Sequence, residues 1–215
     1  MPLYDGGLMS SGSFDHEATY YRVIGNGNKG YAYSEGEPTV METASGHQRA
    51  QGPIFEFDSL SKIGNWLYLG NRVRRLRVPV GARVVRNEPM SQGGCYTFGS
   101  DRIELLDVVD FATLMRELDA TKQTTSVLHL ESYEFSADFS FPERVSWLIL
   151  DRCLAVAPLA FPSSIDRLAL WNCALAIARF PERIDELEAS NCLFEGVTEL
   201  PTYAREQSIR NCTLI

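Results

Sequence analysis

Prolines and cysteines march in phase through the C-terminal half of this chain. Aligned on proline, the segments read FPERVSWLILDRCLAVAPLA from Phe141, FPSSIDRLALWNCALAIAR from Phe161, FPERIDELEASNCLFEGVTE from Phe180 and LPTYAREQSIRNCTLI from Leu200. Pro142, Pro162, Pro181 and Pro201 step by 20, 19 and 20 residues, and Cys153, Cys173, Cys192 and Cys212 keep the same steps. Two residue types in register at a fixed period are the signature of a repeat architecture. Four of the five cysteines therefore occupy one structural slot.

Each unit follows the pattern apolar-x-x-apolar-x-apolar-x-x-Cys. The copies are Val145, Leu148, Leu150, Cys153; Ile165, Leu168, Leu170, Cys173; Ile184, Leu187, Ala189, Cys192; and a degraded fourth, Ala204, Gln207, Ile209, Cys212. A divergent earlier copy runs through Leu128, Leu130, Tyr133 and Phe135. The leucine alternation predicts one short strand per unit, because alternate side chains of a strand share a face. One unit cannot bury its apolar edge alone, so the units must stack and share a continuous core. Proline fits the turn because it fixes φ and has no N–H to satisfy. The cysteine slot asks for a small, weakly polar, buried group. Adjacent cysteines would lie within reach of one another, but inward thiols in apolar surroundings stay protonated and inert.

These units resemble leucine-rich repeats of the short bacterial type, which begin Leu-Pro-x-x-Leu and carry Asn or Cys at the ninth position. The resemblance covers about 123–215 and implies a solenoid that binds other proteins through its strand face. With leucines inward, the outward row is His129 and Glu131; Trp147, Ile149 and Asp151; Arg167, Ala169 and Trp171; Glu186, Glu188 and Ser190; Glu206, Ser208 and Arg210. Two tryptophans and an isoleucine on a solvated strand face mark an interaction site, and tryptophan is a favoured interface anchor. The expected partner-binding residues are His129, Glu131, Trp147, Ile149, Asp151, Arg167, Trp171, Glu186, Glu188 and Arg210. Residues 123–215 hold 7 Arg and no Lys against 13 Asp and Glu, a net of -6 of the chain's formal -8. An acidic face with aromatic anchors suits a basic protein partner, and the acidic balance argues against general nucleic-acid binding. The polar fourth unit, with Gln207, is expected to cap the array.

The N-terminal half reads differently. Residues 1–30 are expected to form a flexible arm, within which Tyr20, Tyr21, Val23 and Ile24 could add one strand. From Tyr31 to Val108 the pattern is β, with Val-rich runs bounded by Gly, Pro and Asn. Strands are expected at 54–57, 73–80, 82–86 and 95–98. Val78-Pro79-Val80-Gly81, Val84-Val85, Gly94 and Tyr96 to Phe98 resemble the second half of a βγ-crystallin Greek key, and Gly52 with Ile54 to Phe57 resembles the first. The resemblance implies a Greek-key β-sandwich over 31–108, with Gly94 taking a positive φ. Some members of that family bind calcium through Asn/Asp-Asn/Asp-x-x-Ser/Thr-Ser. Here Gly70-Asn71-Arg72-Val73-Arg74-Arg75 places arginines where the hydroxyls belong, and cations oppose calcium. No metal site and no cofactor are expected.

Six arginines fall between 72 and 86, at 72, 74, 75, 77, 83 and 86. They could bind an anionic partner or pair with the chain's own carboxylates; self-pairing or solvation is the simpler expectation. Residues 109–122 have helical spacing in Val109, Phe111, Leu114, Met115 and Leu118, so one linking helix should cap the first repeat.

Catalytic signals are sparse. The histidines are His16, His47 and His129, and the His129–Glu131 pair with Ser126 nearby raises acid–base chemistry. No Gly-x-Ser-x-Gly, His-Glu-x-x-His or phosphate-loop segment accompanies it. The sequence has no visible secretory signal and no apolar run near the ~20 residues of a membrane helix, which predicts a cytoplasmic protein. The expectation is a mainly β, non-enzymatic binding protein, most concretely a bacterial immunity protein that blocks a cognate toxin. The alternatives are an effector or substrate-reading module with leucine-rich repeats, and a calcium-binding crystallin-like protein.

Overall fold

The computed structural model describes residues 14–25, 40–42, 55–86, 97–196, 201 and 203–214. The protein is mainly β: small antiparallel sheets followed by a parallel β-solenoid of about four turns, with two short helices. It divides into two compact units, one of residues 1–63 with 72–109 and one of 64–71 with 110–215. No helix among the described residues is long and apolar enough to cross a membrane.

The first unit holds a four-stranded antiparallel sheet and a three-stranded one. The larger is built from β1 (Tyr20–Ile24), β2 (Val40–Glu42), β4 (Arg72–Arg77) and β7 (Arg102–Asp110), in the order β1-β4-β7-β2. The smaller is built from β3 (Phe55–Phe57), β5 (Val84–Arg86) and β6 (Phe98–Ser100), in the order β3-β6-β5. Phe14, Tyr20, Phe57, Leu76, Val78, Ile103 and Leu105 are among its buried core. The rings of Phe14 and Tyr20 stack at 4.9 Å, those of Phe57 and Phe98 at 5.9 Å. Residues 14–24 are thus part of the fold rather than a free arm. β1 forms where the apolar run predicts it, and the aromatic core draws in Phe14, which no periodicity signals.

Two stretches depart from the expected pattern. A short helix α1 (Leu60–Ile63) and a 3-10 helix (Gly64–Leu69) interrupt a region read as β throughout. Buried Ile63, Trp66 and Leu67 fall at helical spacing. Val109 and Asp110, read as the start of the linking helix, instead end β7. Buried Ile103, Leu105 and Val109 sit at even spacing along that strand, and period 2 outweighs the period 3.6 that begins at Phe111. The turn after β4 closes with Ala82 N–H donating to Pro79 O at 3.1 Å, and Gly81 takes φ 81°, a conformation only glycine adopts freely. Gly52, Ile54, Gly94, Cys95 and Tyr96, to which the Greek-key reading also appealed, lie outside the described residues.

Two of the six arginines of the 72–86 segment bond to the chain's own acceptors. Arg74 is buried and donates to Leu106 O at 2.6 Å, and Arg75 pairs with Asp107 at 2.6 Å.

In the second unit each turn of the solenoid contributes a long strand, a tight corner, a shorter strand and a proline turn. The long strands are β8 (Thr125–Glu131), β10 (Arg144–Asp151), β12 (Ser164–Trp171), β14 (Arg183–Ser190) and β16 (Tyr203–Arg210), parallel in the order β16-β14-β12-β10-β8. The shorter strands β9 (Glu134–Phe135), β11 (Leu154–Ala160), β13 (Ala174–Arg179), β15 (Leu193–Phe194) and β17 (Thr213–Leu214) form a second parallel sheet in the matching order.

Sequence phase becomes spatial register. Leu128, Leu148, Leu168, Leu187 and Gln207 pair across the long strands, as do Leu130, Leu150, Leu170, Ala189 and Ile209. The leucines of both rows are buried. At each corner the residue before the cysteine, or before Tyr133 in the first turn, is left-handed: Ser132, Arg152, Asn172, Asn191 and Asn211 have φ between 53° and 55°. In the first four the N–H donates to a carbonyl one turn ahead, as from Asn172 to Ser190 O at 2.9 Å. Each buried thiol donates to a carbonyl two residues before it and to one on the preceding turn, as from Cys173 to Trp171 O and Leu150 O, both at 3.3 Å. Phe141, Phe161 and Phe180, each just before its proline, stack in a column with centroid steps of 6.1 and 4.9 Å. The last turn is more open: Tyr203, Ile209 and Leu214 are exposed.

Two elements lie against the first turn. Helix α2 (Phe111–Ala120) is capped by Asp110, whose side chain accepts from Thr113 N–H at 2.7 Å. It buries Phe111, Leu114, Met115 and Leu118. Phe111 meets Tyr133 at 5.3 Å, and Asp119 accepts from the Glu143 N–H at 2.9 Å. The 3-10 helix packs along β8 so closely that a Cβ at Gly64 would collide with the Val127 carbonyl oxygen.

Candidate functional site: the outward face of the long-strand sheet

The in-register pairing lays the outward residues in three rows across the five strands. The first is Val127, Trp147, Arg167, Glu186 and Glu206; the second His129, Ile149, Ala169, Glu188 and Ser208; the third Glu131, Asp151, Trp171, Ser190 and Arg210. All ten expected contact residues therefore share one sheet face. They do not share one environment.

At the β8 end the face is covered. The Tyr68 ring stacks on His129 at 4.6 Å. His129 is half-buried and desolvation lowers its pKa below the ordinary 6.5, against the opposing pull of Asp151. Ile149, beside it in the second row, is only 6% exposed, which corrects the expectation of a solvated isoleucine: the row is outward, but its neighbours enclose this side chain. The carboxylates at this end are paired as well. Arg152 reaches from its left-handed corner to Glu131 and also to Asp151, the latter at 3.5 Å. Asp151 further accepts from Asn172 Nδ2 at 3.1 Å.

Beyond β10 the face opens. Trp147 and Trp171 are each partly exposed, neither walled in. The Arg167 guanidinium lies 4.5 Å above the Trp147 ring, and its Nε is 2.5 Å from Glu186 Oε2. One row of the sheet thus carries an indole, a guanidinium and a carboxylate on three successive strands, a cation–π contact joined to an ion pair. These three residues line a hollow of about 410 Å³, walled also by Trp171 and reached by Glu188, Glu206 and Arg210. Ala169, 4% exposed, lines it between the two tryptophans. A small residue between two large ones in neighbouring rows leaves the depression. Glu188 and Glu206 are exposed, and no ion pair is seen for either among the described residues.

Sequence reasoning missed three participants. Tyr68 has no repeat phase and reaches the face only because the 3-10 helix docks on β8. Arg152 sits at a corner, a position the strand alternation does not assign to the face. The third is a ladder of amides along the corner: Asn191 Nδ2 donates to Asn172 Oδ1, and Asn211 Nδ2 to Asn191 Oδ1, both at 3.3 Å. That ladder had a visible signal, the dipeptide Asn-Cys at 172, 191 and 211. No group of three or more His, Cys, Asp or Glu side chains that could hold a metal ion occurs among the described residues.

No protein-family model, no curated protein and no solved structure matches this chain.

Proposed function

We propose that this is a non-enzymatic protein-binding protein that grips a basic partner with the outward face of its long-strand sheet. One observation carries the reading: two partly exposed indoles flank a hollow on a five-stranded sheet, lined by three glutamates and two arginines. Indoles in a preformed depression supply apolar grip at little entropic cost, and carboxylates around them steer a cationic surface toward it. A face of this kind suits an interface of standard size, on the order of 1,600 Å² in total. The period, the inward leucines and the Asn-Cys corners support placing the units among leucine-rich repeats. The βγ-crystallin-like reading of the N-terminal sheets rests on the Pro79–Gly81 turn and the strands around it.

The most concrete form of the proposal is a cytoplasmic bacterial immunity protein, one that neutralises a toxin by covering it. Strand-borne indoles and carboxylates make such a plug without any chemistry of their own. The experiment is capture of partners from lysate of the source cells on immobilised wild-type protein and on Trp171→Glu. A basic protein held by the wild type and lost by the variant, with unchanged circular dichroism, is the expected result. Equal retention by both overturns the proposal.

A further inference from the structure

The geometry points to a specific occupant for the hollow: we infer that it takes an arginine side chain of the protein partner, stacked on Trp171 and paired with Glu188. The inference rests on the proposed partner-binding role of this face and adds the chemistry that the face selects.

The protein's own arginine already occupies a site of this kind. Arg167 lies 4.5 Å over the Trp147 ring and 2.5 Å from Glu186, so a guanidinium is already held between indole and carboxylate on this sheet. The Cα positions of Trp147 and Glu186 are two strands apart in one row, about 9.6 Å at the usual strand spacing. Trp171 and Glu188 repeat the pair diagonally, one strand and one row apart. Strand spacing and rise put their Cα positions about 8 Å apart. Ala169 pairs with Glu188 in the second row, and its methyl leaves the depression open. In the Trp147 pair the chain supplies its own cation; Trp171 and Glu188 stand on the same hollow, whose wall also carries Arg167 and Arg210. A planar guanidinium suits that gap better than an ammonium, because it can stack on an indole and still present its edge to a carboxylate. Glu206 adds a second carboxylate at the rim. A partner's arginine would enter where Arg167 shows that the surroundings accept one.

The test is isothermal titration of the full chain with blocked hexa-arginine and hexa-lysine peptides at low salt. Two variants remove one charge each: Glu188→Gln in the hollow and Glu134→Gln on the edge strand β9 of the second sheet. Hexa-arginine is expected to bind at least threefold more tightly than hexa-lysine. Glu188→Gln should weaken it at least fivefold, and Glu134→Gln less than twofold. Failure of hexa-arginine to bind, equal binding of the two peptides, or equal losses in the two variants would each overturn the inference. Partner capture separates this from the parent reading. A partner lost with Trp171→Glu but kept with Glu188→Gln leaves the docking face standing and removes the arginine site.

Discussion

Asn191 donates from Nδ2 to Oδ1 of Asn172 one turn earlier and accepts at its own Oδ1 from Asn211 one turn later, each at 3.3 Å. The same residue holds φ 54°. Left-handed backbone and lateral amide bonding thus fall on one side chain. Asparagine tolerates that backbone because its short polar group bonds locally.

Asn191→Ala should destabilise the protein by about 1–2 kcal/mol, the order of the left-handed penalty for a residue with a Cβ. Asn191→Gly removes the amides but relieves the backbone, so it should cost less than the alanine. Urea melts of the three proteins check the ranking; alanine equal to or better than glycine contradicts it.

Leu150, Leu170, Ala189 and Ile209 occupy one inward slot on successive strands. Leu150 is fully buried and Ile209 is 40% exposed. Leu150→Ala should cost roughly 2–5 kcal/mol, whereas Ile209→Ala should cost well under half as much because it leaves less of a cavity. Comparable losses in chemical denaturation would mean that the last turn is as enclosed as the second.

The solenoid was legible because its information is repeated: leucine alternation, proline phase and the cysteine slot each state the register several times. The outward rows followed from that alternation, and with them all ten expected contact residues. What the alternation cannot report is coverage. Ile149 has the phase of an exposed residue, yet its neighbours close over it, and His129 lies under a ring from sequence position 68. The N-terminal unit was less legible because each of its elements occurs once. Val108 and Val109 fit either period until the strand β7 absorbs them, and the 3-10 helix at 64–69 depends on a glycine whose need shows only against Val127.

The Tyr68–His129 stack predicts a pH response. Desolvation holds the His129 pKa below 6.5, so the unfolded chain binds its proton more readily than the folded one. The contribution of neutral His129 to stability is whole above pH 6.5 and falls as pH drops through the folded pKa. Tyr68→Ala should raise the imidazole pKa in an NMR titration, and His129→Gln should flatten the acid limb of the stability curve. An unmoved pKa in Tyr68→Ala contradicts the covering role.

The thiol column predicts unequal reactivity. Its hydrogen bond with Cys153, together with burial, pushes the Cys173 thiol up to about 12, and the contact with Cys173 together with burial raises that of Cys192 also. Cys212 is the least buried of the four. Brief alkylation of the native protein at pH 8 should label Cys212 ahead of Cys173 and Cys192, read by site-resolved mass spectrometry. Labelling of Cys173 at the rate of Cys212 would show that the column opens in the native state.

The central claim, that the face bearing Trp147 and Trp171 is where a partner docks, is tested most directly by hydroxyl-radical footprinting of the indoles in complex with a captured partner. Oxidation of Trp171 should fall at least threefold on complex formation, while Trp66, 8% exposed within the 3-10 helix, keeps its free rate. Unchanged Trp171 oxidation in a saturated complex would place the partner elsewhere on the molecule.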